Sequence, residues 1–293
     1  MASSSQPRLF VTGASGQLGR RVIAALRRRA PDAHLVAGLR SPEGEAGEAL
    51  RAEGVEVRRA DYARPETLAA AFAGIDRLLL ISSSEIGQRV AQHANVIAAA
   101  KAAGIGFLAY TSLLHAETSP LGLAGEHRAT EALLRESGLP FAVLRNGWYT
   151  ENYAASIPAA LAHGVLLGSA GEGRIASAAR ADYAEAAAAV LSAGTALAGI
   201  HELAGDESYT LAAFAAEIAR ASGQPVTYRD LPEAAFRAAL VEAGLPEAFA
   251  SLLADSDAGA ATGALFDDSH SLSRLIGRPT TPAAVTIAAA VRG

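Results

Sequence analysis

The chain has 293 residues, 25 Lys and Arg against 30 Asp and Glu for a net charge of -5, and 51% hydrophobic residues. That balance, with no basic stripe and no unbroken apolar run of about 18 residues, argues against nucleic acid as a partner and against a membrane span. The absence of cysteine rules out disulfides, thiolate metal sites and a cysteine nucleophile, and the 7 histidines form no HExxH or other close ligand pair, so no metal is expected.

In chain order, apolar or β-branched runs at 8–14, 33–40, 55–61, 77–84, 106–113 and 141–147 read as strands. Helical stretches fall between them, near 17–29, 45–53, 65–73, 87–103 and 124–137. Strands with little polar alternation, separated by helices, predict an α/β fold: a doubly wound parallel sheet covered on both faces. After Trp148 the rhythm changes. A helix near 151–162 leads to two strand-like pieces around the Gly-Glu-Gly turn, a helix over 181–193, and "GIHELAG" as a strand returning to the sheet. Helices near 210–222, 232–243 and 246–255, with "PVTYRD" as a short strand, complete a smaller, mostly helical lobe. The expected division is a Rossmann domain over 1–150 with a returning segment at 177–206, the rest of 151–293 forming the second lobe. The start "MASSSQPRLF" lacks a basic stretch followed by an apolar one, which makes the cytoplasm the default location.

"FVTGASGQLGRRV" places Gly13, Gly16 and Gly19 where the first strand turns into the first helix. Glycine allows the tight turn, the approach of main chain to a pyrophosphate, and close helix–strand packing. The helix N-terminus adds donors and a favourable dipole for phosphate. The loop Gly13, Ala14, Ser15, Gly16, Gln17, Leu18 and Gly19 is therefore a dinucleotide cradle. The second strand ends at Arg40, where an NAD site usually has an acidic residue. A guanidinium fork suits a 2′-phosphate, so NADPH (NADP+) is the expected cofactor. Further along the same sheet edge, Asp61 either reaches the adenine or caps the helix before Pro65, and Ser82, Ser83 and Ser84 either line the ribose path or are turn residues. Tyr110 and Thr111 in the fifth strand and Asn146, Gly147, Trp148 and Tyr149 after the sixth would close over the nicotinamide, with lobe packing the other reading of Trp148 and Tyr149.

Short-chain dehydrogenases that act on alcohols use a Tyr-x-x-x-Lys pair. Here Lys101 is the only lysine and precedes Tyr110, so that pair is absent. No G-x-S-x-G elbow offers hydrolysis instead. A nicotinamide site without a strong proton relay suits acceptors that take hydride readily, such as quinones, whose reduction yields an aromatic product needing little acid catalysis.

The strings "VTGASGQLGRRV", "LLLISSSEIGQRVAQHANVIAAAKAAG", "AYTSLLHAETSPLGLAGEH", "LRNGWYTENY", "ASAARADYAEAAA" and "LADSDAGAATGALFDDSHSLSRLIGRPTT" resemble the bacterial type 2 NAD(P)H:quinone oxidoreductases of the NmrA-like atypical short-chain dehydrogenases. Triphenylmethane dye reductase is a near relative of that group. The resemblance implies an NADPH-binding Rossmann domain, a smaller C-terminal domain and a pocket for a small quinone in the cleft between them. It carries the cofactor loop onto Gly13 to Leu18, the 2′-phosphate contact onto Arg40, and further contacts onto Ser82 to Ser84 and Asn146 to Tyr149. Related reductases place a lysine where this chain has His127, leaving His127 as either a weak donor or a packed histidine. Tyr149, Asn146, Tyr110 and His127, in that order, are the candidates for orienting or protonating the acceptor. An NADP-binding redox sensor without turnover, or a reductase of triphenylmethane dyes or nitro compounds, is the alternative. Oligomeric state is not legible.

Overall fold

The computed structural model describes residues 6–292. Strands β1 (Arg8–Val11), β2 (His34–Leu39), β3 (Glu56–Arg59), β4 (Arg77–Leu80), β5 (Phe107–Leu113) and β6 (Phe141–Asn146) alternate with helices α1 (Gln17–Arg29), α2 (Glu45–Ala52), α3 (Pro65–Phe72), α4 (Arg89–Ala102) and α5 (Ala124–Ser137). Then come α6 (Thr150–Ala154), α7 (Ile157–His163), β7 (Val165–Gly168), α8 (Arg180–Ala193), β8 (Gly199–Leu203), α9 (Leu211–Ser222) and β9 (Thr227–Asp230). Helices α10 (Glu233–Glu242), α11 (Glu247–Ala261), α12 (Ser271–Ile276) and α13 (Ala283–Arg292) end the chain.

The main sheet has the order β3-β2-β1-β4-β5-β6-β8, with β8 returning to its edge as expected. β1 lies between β2 and β4 and pairs in parallel with both, Val11 opposite Ala37 on one side and Leu79 on the other. The order reverses at β1, and a doubly wound sheet opens its ligand crevice at such a point. Phe10, Val36, Leu78, Leu108 and Val143 from successive strands, with Leu68 and Phe72 from α3 and Val96 from α4, form the core beneath it. Because both faces are covered, the strands read as apolar runs without alternation.

Strand β4 is shorter than its apolar run. The Ile81 and Ser82 amides leave the ladder for the hydroxyls of Thr12 (3.0 Å) and Thr111 (2.8 Å), which bends the chain outward. The single helix expected over 151–162 is two, because Pro158 in the first turn of α7 cannot extend the preceding helix. Of the two strand-like pieces expected around Gly-Glu-Gly, only the first forms a strand, β7. It pairs in parallel with β9, the Gly171 amide is held by Asp230 (2.8 Å), and Ile175 makes one antiparallel bridge to Tyr209.

Two compact units emerge. The first runs through Ala116 and adds Gly125–Arg145 and Tyr183–His201; the second takes Glu117–Ala124, Asn146–Asp182 and the chain from Glu202. The divisions thus differ from 150 and 177–206. Arg180 and Asp182 belong to the second unit because the Arg180 amide bonds the Glu151 carboxylate (2.9 Å) while buried Asp182 accepts from Arg278 (2.7 Å) and the Thr281 amide (2.8 Å). Glu117–Ala124 joins it through the Gly122 amide on Asp255 (2.9 Å). Among the described residues no helix is long and apolar enough to cross a membrane.

Candidate functional site

The β1–α1 connection is shaped by its glycines. Gly13 has φ +57, in the left-handed region that glycine enters freely. A Cβ on Gly19 would stand 2.4 Å from the Gly13 carbonyl oxygen and 2.7 Å from the Ala14 Cα, so helix and loop pack only because that side chain is absent. A Cβ on Gly16 would come within 3.2 Å of the same oxygen. Helix α1 starts from Gly16 without a side-chain cap and without an acidic residue in its first turn. Such an end favours an anion.

A cavity of about 290 Å³ opens on this loop. Of the residues singled out by sequence, Gly13, Ser15, Gly16, Gln17, Leu18, Gly19, Arg40, Asp61, Ser82, Ser83 and Ser84 all line it. Ala14 and Thr111 do not: both are buried, Ala14 with its amide on the Gly38 carbonyl (3.2 Å) and Thr111 behind Ser82. Asp61 caps the turn into α3, its Oδ1 accepting the Ala63 amide at 3.0 Å, while still facing the cavity.

The wall opposite the glycines rests on Tyr62, next to Asp61 on the same sheet edge, and on Arg89 and His93, which sequence reasoning passed over. Tyr62 bonds the Ile81 carbonyl (2.8 Å) and the Thr12 hydroxyl beneath the loop. His93 Nε2 accepts the Ser83 amide at 2.9 Å, so Nδ1 carries the proton and donates to Thr130 (3.0 Å). Arg89 donates to the Ser83 carbonyl (2.8 Å) and pairs with Glu126 (2.9 Å), which also receives the Gly87 amide (2.9 Å). The Ser83 amide and the Ser83 carbonyl are therefore each fixed by a buried side chain. Burial, reinforced by the Arg89 charge, pushes the His93 imidazole down to about 3 and keeps it neutral. "SSSEIGQRVAQH" contained the signal: Arg89 and His93 are four apart, one helical turn on the same face of α4.

Tyr110 and His127 are not exposed to either cavity. Tyr110 is fully buried and its hydroxyl meets His127 Nδ1 at 2.7 Å. Burial, then the Arg89 and His93 charges, lowers His127 to about 3, and burial raises the Tyr110 hydroxyl. This corrects both assignments as acceptor-facing groups: a neutral, enclosed imidazole paired to an enclosed phenol ties α5 to β5. Ser112, Glu131 and Arg145 extend that internal network, with Ser112 donating to Glu131 at 2.6 Å and Arg145 at 2.7 Å.

Asn146, Gly147, Trp148 and Tyr149 belong to the second unit and are not among the residues lining the glycine cavity. The segment is pinned: the Gly147 amide bonds the Leu203 carbonyl (2.7 Å), the Thr150 amide bonds Ala178 (2.9 Å), and the Arg180 guanidinium sits 4.7 Å from the Tyr149 ring centre. Asn146 is buried, with its Nδ2 3.5 Å from the Tyr149 hydroxyl and Oδ1 without a hydrogen-bond partner among the described residues. Trp148 lines a second cavity of about 400 Å³, together with Tyr153, Phe236, Leu166, Leu240 and Asp257. Asp257 on its wall accepts from the Tyr153 hydroxyl (2.8 Å) and the Ser169 amide (3.0 Å). Burial pushes that carboxyl up to about 6 against the pull of those hydrogen bonds.

A bare glycine loop, an uncapped helix start and an arginine at the end of β2 together fit a dinucleotide phosphate chain. Residues 13–193 match the model of a family described as NAD(P)H-binding. The chain belongs to the NAD(P)H-binding family. This family member is 56% identical over 279 residues to Quinone oxidoreductase 2 of Escherichia coli K12, an alignment covering 95% of this chain and 97% of that one. Its fold matches the crystal structure of the NADPH-dependent quinone oxidoreductase of Escherichia coli complexed with NADPH, with a TM-score of 0.91, 55% identity, and 96% and 99% of the two chains covered. Triphenylmethane reductase of Citrobacter sp. complexed with NADP(H) follows at a TM-score of 0.90 and 35% identity over 96% of this chain and 99% of that one. No group of three or more His, Asp or Glu able to hold a metal occurs among the described residues.

Proposed function

We propose that the protein is an NADPH-dependent reductase that converts small quinones to hydroquinones in one two-electron step. The observation that carries this reading is the glycine-lined cavity with Arg40 on its rim, in a chain 56% identical to Quinone oxidoreductase 2.

In this reading Gly13, Ser15, Gly16, Gln17 and Leu18 hold the pyrophosphate on main-chain amides, Arg40 takes the 2′-phosphate, and Ser82 to Ser84 follow the ribose and nicotinamide. When bound, NADPH supplies the hydride that reduces the acceptor. The chain's task is alignment, a term that covers much of the barrier when the acceptor is reactive. His93 and Arg89 keep the Ser83 main chain fixed, so this part of the wall is set before binding. The aromatic cavity of Trp148, Tyr153 and Phe236 suits a flat apolar ring, and the Asp257 carboxylate on its wall can accept a hydrogen bond from a hydroxyl of the reduced ring. Asn146 Oδ1 offers a buried acceptor for an amide or hydroxyl donor, and Tyr149 orients beside it. Burial raises the Tyr149 hydroxyl, so at neutral pH it stays protonated and acts as a donor. The product oxygen then takes its proton from solvent.

Stopped-flow absorbance of NADPH with and without benzoquinone tests this. Acceptor-dependent loss of NADPH, with one hydroquinone formed per NADPH consumed, is the expected result. Tight NADP+ binding without acceptor-dependent turnover would overturn it in favour of a sensor.

A further inference from the structure

The cavity wall next to Arg40 carries a carboxylate that the dinucleotide reading does not use. Arg40 Nη1 donates to Glu85 Oε1 at 2.8 Å. The other Glu85 oxygen accepts from Gln92 Nε2 at 2.7 Å, and the Glu85 amide donates to Ser83 Oγ at 3.2 Å. Arg40 follows β2 and Glu85 follows β4, the two strands that flank β1. The ion pair therefore bridges the strand ends on either side of the glycine loop, and all four residues line the same cavity. Gln92 is only 7% exposed and its Oε1 is buried without a hydrogen-bond partner among the described residues.

These groups make opposed demands. A phosphate needs the Arg40 fork, and the Glu85 carboxylate both occupies that fork and repels the phosphate charge. A ribose hydroxyl needs an acceptor, and the Glu85 carboxylate supplies one. Specificity set by a repulsive group as well as an attractive one is a difference of affinities.

We infer that Glu85, held by Gln92 against Arg40, is the residue that sets coenzyme selectivity, restraining the preference for NADPH and retaining NADH as a usable coenzyme. The inference rests on the coenzyme reading of this cavity. A 2′-phosphate enters by displacing Glu85 from Arg40, whereas a 2′-hydroxyl leaves the ion pair in place and bonds the carboxylate.

The test is a pair of dissociation constants, for NADPH and NADH, measured by nicotinamide fluorescence without acceptor on the full chain and on Glu85→Gln. The variant is expected to tighten NADPH by roughly tenfold, the effect of removing one carboxylate charge beside a phosphate near the solvent boundary. NADH should stay the same or weaken, and raised salt should shrink the NADPH gain. Glu85→Ala should tighten NADPH likewise and weaken NADH further, because it also loses the acceptor. An NADH-to-NADPH ratio unchanged in both variants, or equal tightening of both coenzymes, overturns the inference while leaving the coenzyme site standing. Failure of the wild type to bind either coenzyme overturns the site and the inference together.

Discussion

His93 couples the acid stability of the fold to the shape of the coenzyme wall. Its Nε2 accepts the Ser83 amide, so protonation would set two donors against each other at 2.9 Å. Burial first, and the Arg89 charge second, lower the imidazole from 6.5 to about 3. Because the folded state binds this proton less readily than the unfolded chain, the group's stabilisation is complete above pH 6.5 and is lost as pH falls toward 3. The full span corresponds to about 5 kcal/mol, at a slope of about 1.4 kcal/mol per pH unit. His127 loses stability in the same window and Asp257 gains it, so the contribution of His93 is read from a difference. Urea unfolding followed by circular dichroism, on wild type and His93→Asn between pH 6.5 and 4.5, should show the wild type falling more steeply by about 1 to 1.4 kcal/mol per pH unit. The variant starts lower because it no longer holds Ser83 and Thr130 in the same geometry. Coenzyme affinity should stay level over that range, because His93 in the folded chain takes a proton only near pH 3. Parallel stability curves, or an NMR titration of His93 with a midpoint near 6.5, would refute the reasoning.

Gly19→Ala drives a methyl into the Gly13 carbonyl and the Ala14 backbone, which cannot move aside as a side chain tip can. It should cost about 1 to 3 kcal/mol of stability and weaken coenzyme binding, as judged by thermal melts and fluorescence titration. Gly16→Val should abolish binding with the fold retained, since its branches enter the phosphate path; normal NADPH binding would show the loop misplaced. Arg40→Ala should weaken NADPH relative to NADH by about 1.5 to 3 kcal/mol, the range for hydrogen bonds to charged groups, and equal losses for both coenzymes would contradict its role. Asp257 is raised from 3.8 to about 6, so its stabilisation is present below pH 3.8 and lost as pH rises through 6, about 3 kcal/mol in all. Asp257→Asn should remove that decline from the pH dependence of urea unfolding; an unchanged profile would show that the carboxyl does not titrate there.

The parallel sheet was legible because its strands are buried on both faces and read as apolar runs, and because each helix between them carried its own punctuation. The coenzyme loop was legible for a similar reason: Gly13, Gly16 and Gly19 act locally, within one strand–turn–helix. Arg40 could be placed because it ends a strand next in order to that loop. What failed depended on distant partners. The second strand-like piece after Gly-Glu-Gly makes only the Ile175 bridge, while β7 pairs with β9, a choice made by residues far apart in sequence. Tyr110 and His127 looked like proton donors by type, whereas only packing reveals that they face each other inside the first unit. Arg89, His93 and Gln92 share a face of α4, yet nothing in their spacing says that this face supports Ser83 and Glu85. The short α12 and the alanine-rich α13 lacked a periodic stripe strong enough to stand out.

In the function proposed above, main-chain amides of the β1–α1 loop carry the coenzyme's phosphates, with Arg40 at its 2′ end. A crystal structure of the protein with NADP+ tests this most directly. The account predicts pyrophosphate density over Gly13 to Leu18 and the 2′-phosphate within hydrogen-bonding distance of the Arg40 guanidinium. NADP+ bound elsewhere, or the loop cavity filled by the chain's own side chains at saturating coenzyme, would contradict it.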